Sequence, residues 1–158
     1  MRISFDVDDT LVCDPSVPTE QFVPWWRRWW YPELLRRGTR PLMRGLLADG
    51  HQLWIYTTSY RSARYLRGWF RSFGVPIYGV DQHRHERVVG RQGPSKYPPA
   101  FAIDLHIDDS EGVADEGRQH RFDVVVVAPD DPDWVARVLE VVASKSGRTS
   151  PLQQTGPA

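Results

Sequence analysis

Cysteine occurs once, at Cys13, so the chain can close no disulfide of its own and must hold its fold by burial alone. That usage suits a reducing compartment. Long apolar runs are missing as well. None approaches the roughly 20 residues that a membrane-spanning helix needs, and Met1 leads directly into a strand pattern rather than a basic, apolar leader. The expectation is a cytoplasmic protein with no membrane partner. Excess charge of either sign is also lacking: 20 Lys and Arg balance 20 Asp and Glu in 158 residues. No chain-wide reason remains to expect nucleic acid or an anionic surface. Lysine is scarce, with only Lys96 and Lys145. The positive charge is therefore nearly all arginine, which suits either a coding bias or a local anionic ligand gripped by a bidentate fork. Nucleic acid as a local ligand is left open by this.

What is present reads as an ordinary globular domain. Hydrophobic residues make up 41% and charged residues 25% of a length that fits one domain. A short apolar run, Met1 to Phe5, breaks into Asp6-Val7-Asp8-Asp9-Thr10 and predicts a first strand feeding a polar loop. Residues 12–38 are interrupted by Pro15, Pro18, Pro24 and Pro32. Helices are expected over 41–49, 61–73 and 133–144, with a short one over 111–119. Further strands are expected over 52–56, 75–80, 101–107 and 122–127. The polar stretch 83–99, with two glycines and three prolines, reads as loop, and the Ser-, Gly- and Pro-rich stretch 146–158 as a disordered tail.

Strands alternating with helices imply right-handed crossovers and a parallel sheet covered on both faces. Ligands of such sheets bind beyond the carboxyl ends of the strands. Three polar clusters follow strands one, two and four: Asp6/Asp8, Thr57/Thr58 and Asp108/Asp109. They should meet in one crevice. Four carboxylates there repel one another unless some protonate or a cation joins them. An all-oxygen site favours a hard cation, and Mg²⁺ binds through one or two carboxylates, waters and phosphate. A carboxylate can take up a phosphoryl group, a second carboxyl can shuttle the proton, and a hydroxyl and an ammonium can hold the phosphoryl oxygens.

Those parts, in that order, resemble the haloacid-dehalogenase (HAD) superfamily. The first motif is DVDDTLV, Asp6 to Val12. The second is LWIYT, ending at Thr57. The third is a basic residue before strand four, for which Lys96 fits and Arg87 or Arg91 are alternatives. The fourth is LHIDDS, ending in Asp108 and Asp109. The resemblance covers residues 1 to 128. It implies an α/β fold with a three-layer, Rossmann-like parallel sheet and a small helical insertion, about residues 12–40, after strand one. The domain would run from 1 to 145. It implies Asp6 as nucleophile and Asp8 as general acid and base, with the Asp8 carbonyl on the metal. Thr57, Thr58 and Lys96 would hold phosphate, and Asp6, Asp8, Asp108 and Asp109 would hold Mg²⁺. The activity implied is hydrolysis of a phosphate monoester. The alternative is a module of the same fold that binds metal or phosphate without turnover. A receiver domain of a response regulator is disfavoured by order, because here the second acidic pair follows the lysine.

No room for a large cap is left in either interval where the family inserts one. An open site of that kind goes with large substrates or with a partner subunit as cap. Trp25 and Trp29, and Trp26 and Trp30, are spaced four apart. On a helix they would form one aromatic face, either a lid or docking surface for a partner or second copy, or a cover for the core. His83 and His85 read as loop residues, His106 as a hydrogen-bonded core histidine, Arg61 as a surface helix residue, and Trp54, Trp69 and Trp134 as core.

Overall fold

Ile3 and Phe5 are fully buried on one side of the first strand, and Ser4 between them is equally buried on the other. A strand covered on both faces belongs in the middle of a sheet, and this one does. The computed structural model describes residues 1–20, 25 and 28–147. Strand β1 (Arg2–Phe5) pairs in parallel with β2 (Gln52–Tyr56) on one side and β4 (Leu105–Asp108) on the other. Strands β3 (Tyr78–Val80) and β5 (Val124–Val126) complete a five-stranded parallel sheet in the order β3-β2-β1-β4-β5. The fold is α/β with a three-layer, Rossmann-like arrangement. The chain leaves β1 towards one edge and, after β3, crosses to β4 on the far side of β1. The carboxyl ends of β1 and β4 thus flank the point where strand order reverses, which is where such sheets hold their ligands.

Side-chain alternation sorts the two faces. Ile3, Phe5, Leu53, Ile55, Leu105, Ile107 and Val125 join the main core. The apolar stripes of α1 (Thr39–Ala48), α2 (Ala63–Ser72) and α5 (Trp134–Lys145) close over them with Leu46, Trp69 and Val138 fully buried. The opposite face carries Ser4, Trp54, Tyr56 and His106. There Trp54 and Tyr56 pack on Phe101 and Ile103 in a smaller cluster, and Gly117 of α4 (Glu111–His120) lies against Val124. Trp54, Trp69 and Trp134 are buried as expected.

Several local expectations need correction. The 83–99 stretch is not all loop: α3 (Gln82–Val88) forms there, started by the Asp81 side chain, which accepts the Arg84 N–H at 3.0 Å. Its faces are polar apart from buried His85, so no apolar period announced it. The fourth strand begins later than expected, because Pro98–Phe101 forms a 3-10 turn ending at left-handed Ala102. The third strand starts at Tyr78, not 75. Among the described residues, no α-helix falls between β1 and α1. That part of the segment is loop, closed at its base by a bridge between Thr19 and Arg36. Of the four tryptophans expected on one helical face, Trp25 falls in a 3-10 turn and Trp29 and Trp30 in a further turn, and these three are 77%, 85% and 76% exposed. Trp26 lies outside the described residues, as does the tail from 148 onward.

Candidate active site

The first polar loop is shaped by its own backbone. Asp6 N–H donates to the Ile107 carbonyl at 2.9 Å, extending the β1–β4 ladder by one residue. The chain then turns sharply, with the Val7 carbonyl accepting from both Leu11 (2.9 Å) and Val12 (2.8 Å). Asp9 takes up the left-handed conformation, φ 55°, that Asp tolerates better than most residues. Asp6 is left buried in the crevice, while Asp8 stands at its rim with half its side chain exposed.

Lys96 reaches Asp6. Its Nζ lies 2.5 Å from Asp6 Oδ1 and 2.9 Å from the Tyr56 carbonyl, and both charged side chains are buried. Arg87 and Arg91 are exposed on or beyond α3, with Arg91 paired to Glu86. The lysine is held from both ends. The Ser95 and Lys96 N–H groups donate to the Glu116 carboxylate at 2.9 and 3.2 Å. The Tyr97 N–H donates to the Tyr56 hydroxyl at 2.9 Å, and that hydroxyl lies 2.5 Å from His85 Nδ1. Burial, seconded by the Lys96 charge, holds the His85 ring below its ordinary pKa, which favours a neutral ring that accepts from the tyrosine. His85 is therefore a buried positioning group rather than the loop residue expected, and it is separated from exposed His83.

Thr57 is buried at the end of β2. Its hydroxyl lies 3.0 Å from Ser59 Oγ and accepts the Ser59 N–H at 3.1 Å. Thr58 points elsewhere: it is exposed and borders a separate depression with His85 and Arg91. At the end of β4, Asp108 is buried and Asp109 half-buried. His106 Nε2 lies 2.9 Å from Asp108 Oδ2, and its Nδ1 lies 2.8 Å from Ser4 Oγ. The expectation of a hydrogen-bonded core histidine at 106 holds. Thr10 donates to Asp109 Oδ1 at 3.2 Å, tying the first loop to the fourth.

The carboxyls divide by environment. Burial pushes Asp108 up, but the His106 hydrogen bond, the Lys96 charge and the Ser110 N–H outweigh it and hold the group below the usual range. Burial pushes Asp6 above that range, against the Lys96 ammonium and reinforced by Asp108. Burial and the Asp108 charge likewise raise Asp109. Two carboxyls pushed upward beside one held ionised are what a site short of positive charge looks like.

Asp8 is held by a group that sequence reasoning assigned to a helix surface. Arg61 precedes α2 and is mostly buried. Its Nη1 donates to both Asp8 oxygens at 2.8 and 2.9 Å. Its Nε reaches Glu33 at 2.9 and 3.1 Å, and its Nη2 bonds the same carboxylate. Tyr65 donates to Glu33 Oε2 at 3.0 Å. Nothing in the sequence links Glu33 to Arg61 across 28 residues, and the only hint was that Arg61 follows Thr57 closely.

No protein-family model matches this chain, and no curated protein matches it in sequence.

The donor set still bears on a cation. Among the described residues, no three Asp, Glu, His or Cys side chains surround one point, so these residues build no closed metal cage. Mg²⁺ does not ask for one, since it keeps several waters and takes one or two carboxylates. Asp108 and Asp6, whose ionisation the Asp108 charge makes costlier, offer the oxygens that demand asks for, with Asp109 beside them. The Asp8 side chain is engaged by Arg61 and would contribute only its carbonyl. No helix among the described residues is long and apolar enough to cross a membrane.

Proposed function

We propose that this chain is a Mg²⁺-dependent phosphohydrolase of the HAD type, acting on phosphate monoesters through an aspartyl-phosphate at Asp6. The observation that carries this reading is the buried Lys96–Asp6 pair at the carboxyl end of β1, with Thr57 on one side and Asp108 on the other. A carboxylate held at one oxygen by an ammonium presents its other oxygen in a fixed direction. Asp6 Oδ2 attacks phosphorus, and the bond from phosphorus to the ester oxygen breaks, its electron pair going to the leaving oxygen. That oxygen takes a proton from Asp8. Water then attacks the phosphoryl group and gives its proton back to Asp8, and the bond to Asp6 breaks with its pair returning to Oδ2. Lys96, with the Thr57 hydroxyl, bonds the phosphoryl oxygens, where charge accumulates. Mg²⁺, held by Asp6, Asp108, the Asp8 carbonyl and through Asp109, would offset the negative charge that meets in the crevice.

Steady-state release of phosphate from p-nitrophenyl phosphate tests the proposal. Turnover should require Mg²⁺, stop with EDTA, and vanish in Asp6→Asn. Turnover by Asp6→Asn within tenfold of wild type would exclude the covalent route, and wild-type protein inert with Mg²⁺ would leave only a binding module of the same fold.

A further inference from the structure

Asp8 must deliver a proton to an oxygen that leaves on the solvent side of the crevice, yet its own loop gives its carboxyl no rigid support. Its side chain is half exposed, and a carboxyl at a rim samples several rotamers unless something fixes it. The support comes from the other side of the crevice mouth. Arg61 bonds both Asp8 oxygens through one nitrogen, and its two remaining nitrogens are fixed on Glu33, which Tyr65 anchors in turn. Ser59, adjacent to the second motif, also accepts from Arg61 Nη1 at 3.0 Å. These groups wall an open depression of about 560 Å³, into which Asp8, Tyr60 and Tyr65 face.

We propose that Glu33 and Arg61 form a positioning clamp that aims Asp8 at the leaving group, and that this depression is where the leaving group sits. The clamp rests on the phosphohydrolase reading above and adds residues to it. Arginine suits the task where lysine does not, because its planar fork fixes Glu33 with one edge and Asp8 with the other. Glu33 and Tyr65 set the direction of that fork, and neither touches Asp8.

The test compares two esters of one shape and different leaving group. A nitrophenolate departs as a stable anion and needs little protonation, whereas phenolate, with a conjugate acid near pKa ~10, needs a proton in the transition state. The quantity read is kcat/KM for phenyl phosphate divided by kcat/KM for p-nitrophenyl phosphate, with Mg²⁺. It reports only steps through the first phosphoryl transfer. Asp8→Asn sets the full fall in this ratio. Arg61→Lys and Glu33→Gln should lower it about tenfold or more, up to the roughly 10²–10⁴ that general acid catalysis contributes in full, and Tyr65→Phe by a smaller factor. Adding Arg61→Lys to Asp8→Asn should lower it no further, since a clamp without its carboxyl has nothing to aim. Equal losses on both esters in Arg61→Lys, Glu33→Gln and Tyr65→Phe, or additive losses in the double variant, would overturn the clamp while leaving the phosphohydrolase standing. A wild-type protein that turns over neither ester would remove both. Tyr65→Phe keeps its ring and guards against a variant that merely unfolds.

Discussion

A carboxylate buried against an ammonium cannot be altered one partner at a time without consequence. In Lys96→Met the Asp6 carboxylate stays buried and loses the ammonium 2.5 Å away. A loss of stability of about 1–3 kcal/mol should follow, read from urea denaturation midpoints at neutral pH. An unchanged midpoint would mean that the pair is not formed in solution. Glu33 gives a second test at this scale. Burial raises its carboxyl, but the bonds from Arg61 and Tyr65 prevail and hold it below its ordinary 4.5. A depressed folded value stabilises the protein above the unfolded one and is lost as pH falls through the folded one. Wild-type melting temperature should therefore drop as pH falls below about 4.5, and Glu33→Gln should flatten that limb. Asp6 and Asp109 have the opposite sign. Their raised values mean that ionisation as pH rises costs stability, which a cation would return. Millimolar Mg²⁺ should raise the melting temperature more at neutral pH than near pH ~4, where carboxyls raised above their ordinary value are already largely protonated.

At the scale of elements, α4 shows how little slack the sheet leaves. A Cβ on Gly117 would stand 2.8 Å from the Phe122 carbonyl and 3.0 Å from Val124 Cγ2. Backbone cannot swing aside as a side-chain tip can, so Gly117→Ala should cost about 1–3 kcal/mol in a urea titration despite alanine's higher helix propensity. Had α4 shifted freely, the variant would be neutral or stabilising. Elements with an apolar period were legible: Leu66, Trp69 and Phe70 marked α2, and the run 52–56 gave β2 with the bounds observed. Elements defined by capping were not. The α3 helix starts at Asp81 and buries little beyond His85, so composition read it as loop. The site divides the same way. Asp6, Thr57 and Asp108 stand at the carboxyl ends of strands whose parallel direction was inferable, so their meeting at one edge was inferable too. The clamp on Asp8 was not, because Glu33 lies in a stretch without period and reaches Arg61 only through the fold.

Most of the described core lies on one side of the sheet, and the described tryptophans are distributed unevenly about it. Trp69 is fully buried in the main core, and Trp134 nearly so. Trp29 and Trp30 are among the most exposed large side chains described, at 85% and 76%. Truncating a buried ring removes transfer energy and leaves a cavity, so Trp69→Ala should cost about 3–5 kcal/mol. Truncating an exposed ring removes neither, so the Trp29→Ala/Trp30→Ala double variant should stay within about 0.5 kcal/mol of wild type. Calorimetric melting of the two variants at one dilute concentration separates these outcomes. A fall in the double variant comparable with that of Trp69→Ala would show that the rings are covered in solution. Repeating the scans across a hundredfold range of concentration would then show what covers them. Dependence on concentration in wild type, lost in the double variant, would place a second copy of the chain over the rings, because only an associating species makes melting follow mass action.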